Sequence, residues 1–136
     1  MDFLIKEGST LPLLKMKVVD SYELDSETFS SNMKNATVTF SMIDVCSGRY
    51  IIANKAGGIY INSDHQTLTC DGNDEIIIYY KWTERDTNKA GVYIGEFIIN
   101  FFDQDGLDNG SLKVPIHDVL HIHIQESFGK TSINSF

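Results

Sequence analysis

Apolar and polar residues alternate along most of this chain with a period of two, and the alternating runs recur between clusters of Gly, Asn, Asp and Ser. That period puts successive side chains on opposite faces of a strand; the three-to-four-residue spacing of an amphipathic helix is almost absent. Residues 11–19 place Leu14, Met16 and Val18 on one face and Lys15 and Lys17 on the other, so this strand has a wet side. Residues 36–45 begin with Val38, Phe40 and Met42 in phase, after which Ile43 and Val45 shift the apolar phase, as at a bulge or a change of sheet. Shorter strands are expected at residues 50–53, 59–61 and 67–70, as sheet edges or a small extra hairpin, with polar turns at 54–58, 62–65 and 71–74.

The second half of the chain carries stronger strands. Ile76, Ile78, Tyr80 and Trp82 share one face, and Ile77, Tyr79 and Lys81 the other. Residues 92–102 form the longest run, with Tyr93, Gly95, Phe97, Ile99 and Phe101 facing one way. A polar turn ending at Gly110 leads into residues 111–114, where Pro115 stops ladder pairing. Residues 119–125 close the pattern, with Leu120, Ile122 and Ile124 inward and His121, His123 and Gln125 outward. The expected core therefore comprises Trp82, Tyr80, Tyr93, Phe97, Ile99, Phe101, Leu120, Ile122 and Ile124. About seven to nine short strands of this kind bury their alternate faces most simply as two packed sheets, an all-β antiparallel sandwich of immunoglobulin-like type, with a closed barrel as the competing architecture.

Composition narrows the function classes. At 136 residues the chain suits one domain, read as an N-terminal arm at 1–7, a sandwich at 8–125 and a C-terminal tail at 126–136. A net charge of -8 without a visible basic patch argues against a nucleic-acid partner. The apolar runs fall far short of the roughly 20 residues that cross a bilayer, so no membrane association is expected. The apolar residues at the N-terminus are broken by Asp2, Lys6 and Glu7 and lead to no small-residue cleavage site, so the chain is expected to stay where it is made. Cys46 and Cys70 have neither CxxC nor His spacing and read as reduced, partly buried thiols.

Several constellations invite chemistry. Tyr93 follows Gly91 by two residues at the start of the longest strand, the position of a tyrosine corner, whose hydroxyl returns to the loop backbone while the ring enters the core. Trp82, at the end of the preceding strand, is expected to cap the core with its N–H on a loop carbonyl; the alternative is a glycan-stacking platform of Trp82 with Tyr79 and Tyr80. The opposite face of the longest strand carries Val92, Ile94, Ile98 and Phe102, interrupted by Glu96 and Asn100, and reads as a candidate interface covered by another part of the chain or by a partner. His121 and His123 point the same way, with His117 or His65 as a third ligand, but two imidazoles do not close a tetrahedral site, and a solvated face is favoured over a metal. The turn DQDGLDNG lacks the residue order of a calcium loop. No Ser-His-Asp, Cys-His or phosphate-cradling motif occurs, so neither catalysis nor a cofactor is expected.

The order of these features resembles the immunoglobulin-like N-terminal domain of phage baseplate upper proteins. The similarity runs through Gly8-Ser-Thr-Leu-Pro12 with Val18-Val19-Asp20, residues 36–42, Tyr80-Lys81-Trp82-Thr83, Asp86-Thr87, Gly91-Val92-Tyr93, Gly106 or Gly110, Val114-Pro115 and residues 120–124. Its most specific part is Tyr-x-Trp-Thr, Asp-Thr and Gly-x-Tyr in that order. Residues 21–35 depart from it, being longer and more polar than the family's Asp-Leu-Thr-Gly, and the module is expected to stand without the fibre or receptor-binding portion that often follows it. The resemblance implies a rigid, non-enzymatic virion module, made in a host cytoplasm, that docks on other virion proteins of a tail, baseplate, fibre or head and forms homo-oligomers around a symmetry axis. The alternative is a module that binds host-surface glycans.

Overall fold

The computed structural model describes residues 1–18, 35–62, 75–103 and 105–128. The strand expected at 67–70, Cys70, His65, the turn at 71–74, most of the polar stretch at 21–35 and the end of the tail lie outside the described residues. Within them the chain forms β1 (Asp2–Lys6), β2 (Leu14–Val18), β3 (Thr37–Asp44), β4 (Tyr50–Ala56), β5 (Gly58–Asn62), β6 (Glu75–Tyr80), β7 (Gly91–Phe102), β8 (Asp108–Val114) and β9 (Leu120–Gln125). The strands make two sheets. One runs β1-β9-β7-β3-β4, with β8 paired to the far half of β7; the other runs β2-β6-β5.

The protein is thus a β-sandwich, and its strand order is the immunoglobulin-like one: the chain alternates between sheets at β2 to β3, β4 to β5 and β6 to β7, so that strands adjacent in sequence face each other across the core. Alternation sets which faces meet. Val38, Phe40 and Met42 of β3 and Tyr93, Phe97 and Ile99 of β7 are buried against Leu14, Met16 and Val18 of β2 and Ile76, Ile78 and Tyr80 of β6, while Leu120, Ile122 and Ile124 complete the layer from β9. The next residue in each strand is more exposed, as in the pattern BeBeB of β2 and BiBiBe of β9.

Four expectations need correction. Residues 1–7 are not a separate arm: Asp2 to Lys6 pair in parallel with His121 to Gln125, which turns Phe3 and Ile5 to the core and leaves Asp2, Leu4 and Lys6 outward. Phe101 is only partly buried, since β7 by then has run past the end of its pairing with β3 at Asn100. The phase shift near Ile43 is not a bulge in β3, whose ladder with β7 is unbroken from Thr37 to Asp44; the extra residues sit in β4. There Asn54 adopts φ 49°, and its backbone N–H donates to Ser41 Oγ at 2.9 Å, a distortion that blunts this sheet edge against further pairing. Cys46 is exposed rather than partly buried, because it falls in the turn after β3 instead of on a strand face.

Candidate functional site

Residues 80–93, which join β6 to β7, hold most of the order that sets this chain apart, and they fold into one hydrogen-bonded corner. Asp86 is 4 % exposed and stands at its centre. Its Oδ2 accepts the Tyr80 hydroxyl at 2.7 Å and the Thr83 backbone N–H at 2.9 Å, while Lys55 Nζ from the neighbouring strand β4 lies 3.4 Å from Oδ1. Thr87, fully buried, donates from its hydroxyl to the Ser9 carbonyl at 2.8 Å, and its own carbonyl accepts the Gly8 N–H at 2.8 Å. The Ala90 N–H donates to Glu7 Oε2 at 3.1 Å. The segment that leads into β2 is therefore fastened to the β6–β7 corner by Thr87 and Ala90.

Tyr93 completes the corner as its spacing implies. The hydroxyl donates to the Lys89 carbonyl at 2.7 Å, four residues back, and the ring is buried. Burial, with the carboxylates of Asp44 and Glu7 nearby, raises the Tyr93 pKa, which keeps the hydroxyl a donor. Trp82 is in the core at 2 % exposure, stacked on Phe3 and edge-on to Phe40 and Tyr80. The expected hydrogen bond to a loop carbonyl is not made among the described residues, where the buried Nε1 has no partner. Trp82 and Tyr80 are both buried, so a glycan platform built on them is excluded, and of the three rings only Tyr79 reaches the outside.

The electrostatics of Asp86 give the corner a pH dependence. Burial pushes its carboxyl up, but the hydrogen bonds from Thr83 and Tyr80 and the charge of Lys55 outweigh that and hold it below the usual 3.8. A folded-state pKa below the unfolded one contributes stability that is complete above 3.8 and is lost as pH falls through the folded value. Asp86→Asn is expected to cost about 2 kcal/mol at neutral pH, by weakening the charge-assisted bonds. Urea melts should then show the gap between variant and wild type closing as pH falls below 3.8 and through the folded value; a gap that stays constant would mean that the charge of Asp86 contributes nothing.

The histidines do not converge. His123 Nε2 lies 2.9 Å from Asp2 Oδ1, across the β1–β9 pair, which spends that imidazole on holding the edge strand. His121 neighbours it on the same face, His117 is exposed on the loop before β9, and no set of three His, Cys, Asp or Glu residues among those described is placed to hold a metal ion. In the turn after β7, Asp103 Oδ1 accepts the N–H groups of Asp105 and Leu107, the local bonding of a hairpin turn.

Val92, Ile94, Ile98 and Phe102 all lie on the outer side of the larger sheet. Val92 is 43 % exposed and the other three are half-buried, flanked by the side chains of adjacent strands with no further layer over them among the described residues. The register extends the patch sideways: Ile94 pairs with Ile43, which pairs with Tyr50, and Val92 pairs with His123, which pairs with Leu4. Tyr50 is 67 % and Leu4 54 % exposed. An open hollow of about 560 Å³ is lined there by Leu4, Val92, Asp2, His123 and Gln125. Leu4, Ile43 and Tyr50 were not legible as part of this surface, because their membership depends on which strands are neighbours.

Fold and corner together define an immunoglobulin-like sandwich module whose most distinctive residues serve packing. No protein-family model matches the chain, and no curated protein matches it either. Among the described residues no helix is long and apolar enough to cross a membrane.

Proposed function

We propose that this protein is a non-enzymatic structural module of a bacteriophage virion, docking on other virion proteins of a tail, baseplate or head through the outer face of its larger sheet. One observation carries the reading. The residues of Tyr80-x-Trp82-Thr83, Asp86-Thr87, Gly91-x-Tyr93 and the distant Gly8-Ser9, which carry the resemblance to the baseplate upper module, meet in space as a single fastening of the sandwich: Tyr80 and Thr83 on Asp86, Thr87 on Ser9 and Gly8, Tyr93 on Lys89. A motif consumed in this way supports a rigid scaffold rather than a reacting centre. The docking face is supported by two cross-strand rows of outward apolar side chains, Leu4 and Val92 on either side of His123 in one and Ile94, Ile43 and Tyr50 in the next, since clustered exposed apolar side chains mark interfaces more often than bare solvent contact.

The test is particle association. In density-gradient fractions of a phage lysate, the wild-type chain should travel with particles. The double variant Ile94→Glu with Val92→Glu should stay in the free fraction at least about tenfold more often, because burying an unpaired carboxylate at an interface costs several kcal/mol. Its melting temperature should move by only a few degrees, as both side chains point away from the core. A wild-type chain found only in the free fraction would overturn the proposal.

A further inference from the structure

The outer face of the smaller sheet differs in chemistry from the rest of the surface. The pairing of β2 with β6 and of β6 with β5 sets two cross-strand rows side by side: Lys15, Tyr79 and Gly58 in one, Lys17, Ile77 and Tyr60 in the next. Gly58 has no room for a Cβ because the Tyr79 ring occupies that space, so the ring lies across β5 rather than standing out from the sheet. The Tyr60 ring, 38 % exposed, sits beside it with centroids 5.9 Å apart and planes tilted by 51°, forming a shallow aromatic V. Lys15 Nζ hangs 6.0 Å from the Tyr60 centroid, at the rim of the V. Lys17, itself already partnered, stands one row along, and Lys81 is exposed two residues past Tyr79.

We propose that this face binds a saccharide bearing carboxylate or sulfate groups, with Tyr60 and Tyr79 stacking on the sugar's C–H face and Lys15 meeting the anion. Charge complementarity selects the ligand. In a chain with nineteen acidic and eleven basic residues, the two described rows carry lysines and no carboxylate, Glu75 standing at the far end of β6. Exposed tyrosines supply rigid apolar area with a polar tip, which suits a pyranose ring, and a lysine beside them discriminates acidic from neutral sugars. A single-stranded nucleic acid uses similar parts but needs a basic track along its backbone, and the net charge of -8 works against one. The face lies on the opposite side of the sandwich from Val92 and Ile94, so this inference does not depend on the docking reading.

Amide chemical shifts of the full chain, titrated with a hyaluronan hexasaccharide, a heparin-derived hexasaccharide, maltohexaose and an oligothymidylate, test it. At least one of the two acidic hexasaccharides should bind more tightly than maltohexaose and the oligothymidylate, and should shift amides of β2, β5 and β6; binding of the hyaluronan hexasaccharide shows that carboxylate suffices, and binding of the heparin-derived one alone shows that sulfate is needed. Tyr60→Ala and Lys15→Glu should each weaken that binding by about tenfold or more, without lowering the melting temperature appreciably, and Ile94→Glu should leave it unchanged. Tyr79 is left intact in the test because its ring also covers Gly58. No binding of either acidic hexasaccharide at millimolar concentration, equal binding of maltohexaose, tighter binding of the oligothymidylate, or shifts confined to the larger sheet would each overturn the proposal.

Discussion

Truncating Phe40 to alanine is expected to cost about 4 kcal/mol, a large share of the roughly 5–15 kcal/mol that holds a typical domain together. Phe40 is fully buried at the middle of β3, with ring centroids 4.8 Å from Tyr80, 4.9 Å from Phe97 and 5.8 Å from Trp82. It bridges the two sheets and supports Tyr80, whose hydroxyl holds Asp86, so a cavity there loosens the corner as well as the core. Thermal unfolding should show a midpoint lower by roughly 15 °C. Phe40→Leu, which keeps most of the volume, should lose much less. A drop of only a few degrees for alanine would mean that neighbouring side chains collapse into the space, and that Phe40 is not the central packing residue.

Gly95→Val is expected to destabilise by about 3 kcal/mol through crowding rather than loss of contact. Gly95 lies in the core-facing row of β7, and a Cβ there would come within 2.7 Å of Ile122 Cδ1 and 2.8 Å of the Phe40 ring tip. The glycine is needed for this close approach and not for its backbone freedom. The two sites should therefore couple: in a Phe40→Leu background the cost of Gly95→Ala should shrink, because the ring edge that it strikes has gone. Additive effects in urea melts of the four proteins would disprove crowding against the Phe40 ring and leave Ile122 as the residue that is struck.

Much of this core could be read in advance. The buried rows of β2, β3, β6, β7 and β9 follow from the period-two pattern, because one buried face fixes a strand's orientation and a slip by one residue would turn every apolar side chain outward. Tyr93 was legible for a local reason: its hydroxyl bonds to Lys89, only four residues away. β1 was not legible. Its run of Asp2 to Lys6 is short, and its partner is the last strand, 119 residues on in register, so no nearby turn betrays the pairing. The Trp82 N–H illustrates a different limit, since composition shows that a donor must be placed but not that the ring will be enclosed by Phe3, Phe40 and Tyr80.

The candidate surfaces divide in the same way. Val92, Ile94, Ile98 and Phe102 share a face by alternation alone, whereas Leu4, Ile43 and Tyr50 join them only through cross-strand register. Tyr60, Tyr79 and Lys15 come from three strands separated by up to 64 positions along the chain, and nothing in their local spacing connects them. The Asp86 network is intermediate: Thr83 and Tyr80 are near neighbours, but Lys55 and the Ser9 carbonyl arrive from elsewhere.

By itself, then, the amino-acid order determined that this chain is all β, which face of each strong strand turns inward, and where the tyrosine corner lies, since these depend on periodicity and contacts within a few residues. The tertiary structure alone decided which strands are neighbours, that the Trp82 N–H meets no acceptor among the described residues, and that aromatic and basic side chains gather on one outer face while Leu4, Ile43 and Tyr50 join Val92 and Ile94 on the other. Those outcomes rest on register between distant strands, which is settled by how two whole sheets close over a common core.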